Sequence, residues 1–246
     1  MSSGAILNAT GLTKRFGALV VLNQVDFVIA PGEAIGIVGP NGAGKTTLLN
    51  VLSGAYPPSA GTVNFQGQDV SRLDAAERNR RGIARSHQVP RPFGGMTVFE
   101  NLHVAAAIGG NLHGDAASAR CIESLELCGM TRLANRRAET LGLLDRKRLE
   151  MARALATGPQ LILLDEIGGG LTDGEATELV KIIRAINANG VAVVWIEHIV
   201  HILLQVVTRL VCMDAGRILA EGDPRAVMTN PEVISAYLGS SAEAVS

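Results

Sequence analysis

Eight consecutive residues, Gly39-Pro40-Asn41-Gly42-Ala43-Gly44-Lys45-Thr46, carry the spacing G-x-x-x-x-G-K-[ST] of a phosphate-binding loop. Glycines there let the backbone wrap closely around anionic oxygens, with several N–H groups converging on them. A helix opening at Lys45 adds the positive end of its dipole. Lys45 is placed to reach the β- and γ-phosphates of a nucleoside triphosphate, the Thr46 hydroxyl to ligate Mg2+, and Thr47 to donate to the α-phosphate. A second constellation, Leu161-Ile162-Leu163-Leu164-Asp165-Glu166, is an apolar run that ends in two acids. Carboxylates at the edge of a core are costly unless they are used. Beside a phosphate loop, Asp165 suits holding Mg2+, chiefly through its water shell, and Glu166 suits orienting and polarising an attacking water. His198 and His201 come with no carboxylate or cysteine ligand set and are not read as a metal pair.

The elements that must position these residues alternate between buried strand and amphipathic helix. Two β-rich stretches, 5–9 and 20–29, are separated by Lys14-Arg15-Phe16-Gly17 and predict an antiparallel sheet. A buried strand over 34–38 leads into the glycine-rich loop and a helix over 45–52, and a further strand is expected over 62–65. Capping-box patterns at Asp74/Glu77, Thr97/Glu100 and Thr172/Glu175 open three helices, the second expected to run through Ile108. Helical pattern continues to about Thr157, with a loop around 109–114. After Pro159 come a strand over 161–164, a helix with apolar Leu179, Ile182, Ile183 and Ile186 that ends near Gly190, and a strand over 191–196. This order predicts an α/β fold: a phosphate-loop, mainly parallel core. Arg78, Arg80, Arg81, Arg85 and Arg91 read as a solvated basic face, with contact to an acidic partner as the alternative.

Composition bounds the partners. The 246 residues suffice for one large domain or a core carrying a subdomain, and 47% hydrophobic content excludes wholesale disorder. A net charge of −1 gives no electrostatic reason to expect nucleic acid as the main partner. Cys121, Cys128 and Cys212 have neither metal-ligand nor disulfide-framework spacing and are expected as buried thiols in a reducing compartment. The N-terminus lacks the pattern of a signal peptide, and no apolar run approaches the roughly 20 residues that span a bilayer, so a membrane role would come through docking.

With these motifs in hand, the chain resembles an ATP-binding-cassette ATPase over essentially its whole length. The resemblance implies a core with an N-terminal antiparallel β subdomain (1–87 and 159–246) and an inserted helical subdomain (88–158) carrying the signature segment. It implies ATP and Mg2+ as ligands. Phe16 matches the aromatic that stacks on adenine, Gln88 the glutamine that senses Mg2+ and the γ-phosphate, and His198 the switch histidine that contacts the γ-phosphate. The signature, usually close to Leu-Ser-Gly-Gly-Gln, departs: Leu141-Gly142-Leu143-Leu144-Asp145 replaces the serine and the second glycine. Since that segment completes the partner's ATP site in the family, an asymmetric heterodimer with a second, different ATPase is expected. Ile167 stands in place of a proline, and Thr172 in place of an aspartate.

The resemblance is strongest to the ATPases of branched-chain amino acid importers, through Met96-Thr97-Val98-Phe99-Glu100-Asn101-Leu102, Ile196-Glu197-His198 and the tail Ala236-Tyr237-Leu238-Gly239. It implies separate membrane permeases docking along 88–102, a substrate-binding protein acting indirectly, and peripheral attachment at the cytoplasmic face of the inner membrane. Importers of urea, amides or other small solutes, a non-transport or regulatory cassette, and a phosphate-loop kinase are the rival readings.

Overall fold

The computed structural model describes residues 4–86 and 89–243. Chain order is β1 (Leu7–Phe16), β2 (Leu19–Ile29), β3 (Ala34–Val38), α1 (Lys45–Ser53), β4 (Ala60–Phe65), β5 (Gln68–Asp69), α2 (Ala75–Arg80) and β6 (Ile83–Arg85). Then come α3 (Val98–Val104), a π-helical turn (Ala105–Gly109), α4 (Gly114–Leu127), α5 (Leu143–Ala156), β7 (Leu161–Asp165), α6 (Asp173–Ala188) and β8 (Ala192–Ile196). The remainder is α7 (Val200–Leu203), β9 (Arg209–Asp214), β10 (Arg217–Gly222), α8 (Pro224–Met228) and α9 (Pro231–Glu243).

Strands β3, β7 and β8 are buried at every residue, the mark of inner strands covered on both faces. They lie in a six-stranded sheet ordered β10-β9-β3-β8-β7-β6, parallel except for the β9–β10 pair. A second, antiparallel sheet is ordered β2-β1-β4-β5. Helix α1 packs in the core between the sheets, where Leu48, Leu49 and Leu52 join Leu7, Phe27 and Ile37. On the other face of the larger sheet, Leu149 of α5, Leu179 and Ile183 of α6 and Leu203 of α7 share a core with Leu164 and Trp195. The three expected capping boxes all form, at Asp74, Thr97 and Thr172.

Three expectations change. Strand β1 continues through Phe16, leaving Gly17 and Ala18 as the turn; its register against β2 shifts three times between Ala9 and Arg15, which breaks the alternation that sequence reading relies on. The helix from Thr97 remains α-helical only to Val104 and widens into the π turn, closed by the Gly110 N–H on the Ala105 carbonyl. Gly109 permits this approach, because a Cβ there would lie 2.7 Å from both Asn79 Oδ1 and Thr157 Cγ2. The arginines do not form one solvated face. Arg78 is fully buried, and Arg85 turns inward to an acid described below. Cys121, Cys128 and Cys212 are buried and unpaired as disulfides, and burial pushes the Cys128 thiol up to about 12. Among the described residues, no helix is long and apolar enough to cross a membrane.

Arg78 instead caps the C-terminal end of α1. Its Nη1 donates to the Val51 and Leu52 carbonyls at 2.7 and 2.9 Å, its Nη2 to Ser71 O at 3.1 Å, and its Nε to Leu73 O at 3.2 Å. Burial lowers its pKa to about 10. Arg78→Met strands those carbonyls, so it is expected to cost about 3 kcal/mol of stability. Urea denaturation should show the midpoint falling at unchanged slope; a change below about 0.5 kcal/mol, normal for a surface position, would contradict the capping role.

Candidate active site

Parallel pairing sets the site. Ile37 of β3, Ile196 of β8 and Asp165 of β7 stand in one row, so the residues just beyond them leave the sheet together at its carboxyl edge. From β3 emerges the phosphate loop, from β7 Glu166, and from β8 Glu197 and His198. Two loop glycines are forced by space and angle. Gly39 has φ 143°, and a Cβ on it would sit 2.1 Å from Met213 O. Gly44 has φ 97°, and its Cβ would sit 2.8 Å from Val21 O.

Gly44 is the N-cap of α1 and supplies no capping side chain, so the first-turn N–H groups lack intrahelical partners and face the loop. Lys45 Nζ donates to Gly39 O at 2.7 Å and Pro40 O at 2.8 Å, curling the loop around its own cation. Burial lowers the lysine pKa, opposed by the charges of Glu166, Cys212 and Asp165. Asn41, Gly42, Ala43, Thr46 and Thr47 complete the lining of a hollow of about 210 Å³, which Glu166 also borders.

Asp165 is 2% exposed. Its Oδ1 lies 3.4 Å from Thr46 Oγ1, and its Oδ2 accepts from Arg85 Nη2 at 2.9 Å. The carboxylate and hydroxyl oxygens together are a hard, oxygen-only donor set, which fits Mg2+. Arg85 in turn donates to Asn50 Oδ1, tying β6 to α1. Glu166 follows with φ 48°, a left-handed conformation that is rare outside glycine. Its Oε1 meets His198 Nε2 at 2.8 Å, bringing the expected acid and histidine together. A second hollow, of about 380 Å³, opens beside this pair between Leu143, Lys147 and Ile199.

Phe16 is half exposed and stands 5.4 Å, edge-on, from the Tyr56 ring, with Lys14 Nζ over both rings. Gln88 lies outside the described residues. Ile167 is buried in the core, and Thr172 caps α6 by accepting from Glu175 N. Gly142 is the exposed N-cap of α5, and a Cβ there would meet nothing within 4 Å.

Sequence reading missed four residues. In the sequence Arg85 reads as one of a solvated basic cluster, and nothing in its neighbours marks an acid 80 positions away. Tyr237 of α9 accepts from Gly39 N–H at 2.8 Å, anchoring the phosphate loop to the C-terminal helix. Lys147 and Glu197 are buried charges behind the Glu166–His198 pair. The run Trp195-Ile196-Glu197, an acid directly continuing a fully buried strand, is the one signal that could have flagged Glu197.

Comparisons with known proteins give the family. The family model described as ABC transporter matches residues 22–168, and that described as Branched-chain amino acid ATP-binding cassette transporter matches 217–243. The high-affinity branched-chain amino acid transport ATP-binding protein LivG of Escherichia coli (strain K12) is 36% identical over 96% of this chain and 99% of its own. The corresponding probable protein of Archaeoglobus fulgidus is 31% identical over 95% of each. The ADP conformation of MJ1267, an ATP-binding cassette of an ABC transporter, superposes with TM-score 0.88 at 31% identity, covering 96% of this chain and 99% of that one. A dimeric post-hydrolysis state of the cassette MJ0796, bound to ADP and Pi, superposes with TM-score 0.78 at 25% identity, covering 89% and 99%. The chain therefore belongs to the ABC transporter family, as one of its ATP-binding and ATP-hydrolysing cassettes.

Proposed function

We propose that this cassette drives uptake of branched-chain or other hydrophobic amino acids through separate permeases, from the cytoplasmic face of the inner membrane. The solute class is carried by one observation: residues 217–243 match the branched-chain amino acid cassette model, in a chain that aligns with 99% of a relative bearing that transport name. No residue of a cassette needs to touch the solute, so this assignment rests on relatedness, whereas hydrolysis rests on chemistry.

In that chemistry the α1 N-terminus and loop N–H groups receive the phosphates, and Lys45 exchanges its Gly39 and Pro40 carbonyl partners for the β- and γ-phosphate oxygens. Phe16 offers a ring face to adenine. Thr46 and Asp165 would hold Mg2+, with Gln88 as the third expected ligand; the ion's contribution is to neutralise charge on the β- and γ-phosphate oxygens. Glu166 orients a water and draws off its proton as the water oxygen bonds to the γ-phosphorus. The bond from that phosphorus to the β–γ bridging oxygen breaks, and its electron pair leaves with ADP. His198, hydrogen-bonded to Glu166, would contact the γ-phosphate.

The proposed division into a core (1–87, 159–246) and a helical insert (88–158) places the permease-docking segment near 88–102. The partner cassette is proposed to be a different chain. Gly142 and Leu144 remove a hydroxyl and a glycine from the segment expected to face the partner's nucleotide, and losing one preorganised donor at a developing charge costs about 2.7–4 kcal/mol. The open space around Gly142 means a serine would fit, so its absence is not steric.

Glu166→Gln is expected to keep ATP binding and lose turnover by about 10³-fold, within the range of a general base. With ATP, that variant should form a dimer only when a second cassette is supplied; a homodimer holding two ATP would overturn the heterodimer. Phe16→Ala should raise the ATP dissociation constant about tenfold while leaving tripolyphosphate binding unchanged. In reconstituted complexes, leucine-loaded binding protein should stimulate ATP hydrolysis. Stimulation by urea or an amide, and not by leucine, would contradict the solute class.

A further inference from the structure

The left-handed Glu166 must be held by something, because an isolated residue would relax out of that conformation at a gain of about 1–3 kcal/mol. Each of the three residues 166–168 is pinned by a hydrogen bond. Glu166 N–H donates to Ile196 O at 2.9 Å. Ile167 O accepts from Lys147 Nζ at 2.6 Å. Gly168 N–H donates to Glu197 Oε2 at 2.9 Å. The other oxygen of the same carboxylate, Glu197 Oε1, accepts from the His198 N–H at 2.9 Å. One side chain, 3% exposed, thus fastens the loop after Glu166 to the residue that contacts Glu166.

Both carboxylate oxygens are used as acceptors from backbone donors. A glutamine could serve one and would present its NH2 group to the other N–H. Lys147, 5% exposed, holds the same loop from the other side through its bond to Ile167 O, so the backbone of residues 166–168 is tied both to α5 and to the end of β8. Gly168 fits the same design, since a Cβ there would lie 2.7 Å from Glu197 Oε2. Lys147 belongs to α5, whose N-cap is Gly142 of the signature segment, so the arrangement also joins that helix to the Glu166–His198 pair.

We infer that Glu197 and Lys147 are positioning residues for ATP hydrolysis, which hold Glu166 and His198 in mutual contact through the backbone of residues 166–168. The inference rests on Glu166 and His198 carrying the hydrolysis, so Glu166→Gln and His198→Ala are measured alongside.

The test is steady-state ATPase activity and ATP dissociation constants for Glu197→Gln, Lys147→Met and the double variant, with the emission of Trp195, the sole tryptophan, checking the fold. Each single variant should lower kcat about tenfold, as residues that orient reacting groups do, with the dissociation constant within about twofold. The double variant should lose no more than either single one, because both act through one unit. Lys147→Arg, which keeps a cation and a donor, should recover most of the activity lost in Lys147→Met. Turnover within about twofold of the parent in Glu197→Gln, or parallel loss of ATP binding and Trp195 signal, would overturn the positioning role. If Glu166→Gln and His198→Ala themselves leave turnover intact, the reading of the catalytic pair fails first.

Discussion

The parallel pairing of β3, β8 and β7 is the constraint on which the rest depends. With Ile37, Ile196 and Asp165 in one row, the phosphate loop, Glu197 and Glu166 leave the sheet side by side. A slip of one residue in β7 would point Asp165 to the opposite face and bring Glu166 into its place in the strand. Such a slip is resisted because every residue of the three strands is buried, so it would put Asp165 into an apolar layer. Hydrophobic patterning thus fixes the chemistry at the sheet edge, although no hydrophobic residue takes part in it.

Around that edge, each buried charge is held by a bonded partner. Asp165 has Arg85, Glu197 has the Gly168 and His198 N–H groups, Lys147 has the Ile167 carbonyl, and Lys45 has two loop carbonyls. None of these pairs adds much stability for its burial, since desolvation offsets most of the attraction. What they supply is position. Asp165 keeps one oxygen toward Thr46 while the guanidinium takes the other, and Glu166 keeps an unfavourable backbone angle because its neighbours are bonded on both sides. The π turn and Arg78 perform similar work further out, the turn packing against α2 at Asn79 and Arg78 closing the end of α1.

Much of this was legible in the sequence because the signals are local. The glycine spacing of 39–44, the apolar strand ending at Asp165-Glu166 and the three capping boxes each depend on residues a few positions apart. What escaped depends on residues far apart in the chain. Arg85 looks like Arg80 or Arg81 until β6 pairs with β7 and brings it to Asp165. Lys147 and Glu197 are 50 positions apart, and each reads as an ordinary charge. The continuation of β1 past Ala9 was hidden for a different reason, since its register shifts erase the period of two. Gly142 illustrates the limit from the other side: sequence marks the departure from the usual signature, and only the open space around it excludes a steric cause.

The central claim is that the hydrolytic edge serves a transport complex. It is tested most directly by gently solubilising native membranes, purifying this chain and identifying by mass spectrometry what accompanies it. Multi-span permeases together with a second cassette ATPase are the expected companions. Recovery of only soluble proteins, or of this chain by itself, would contradict the transport role and leave the ATPase standing alone.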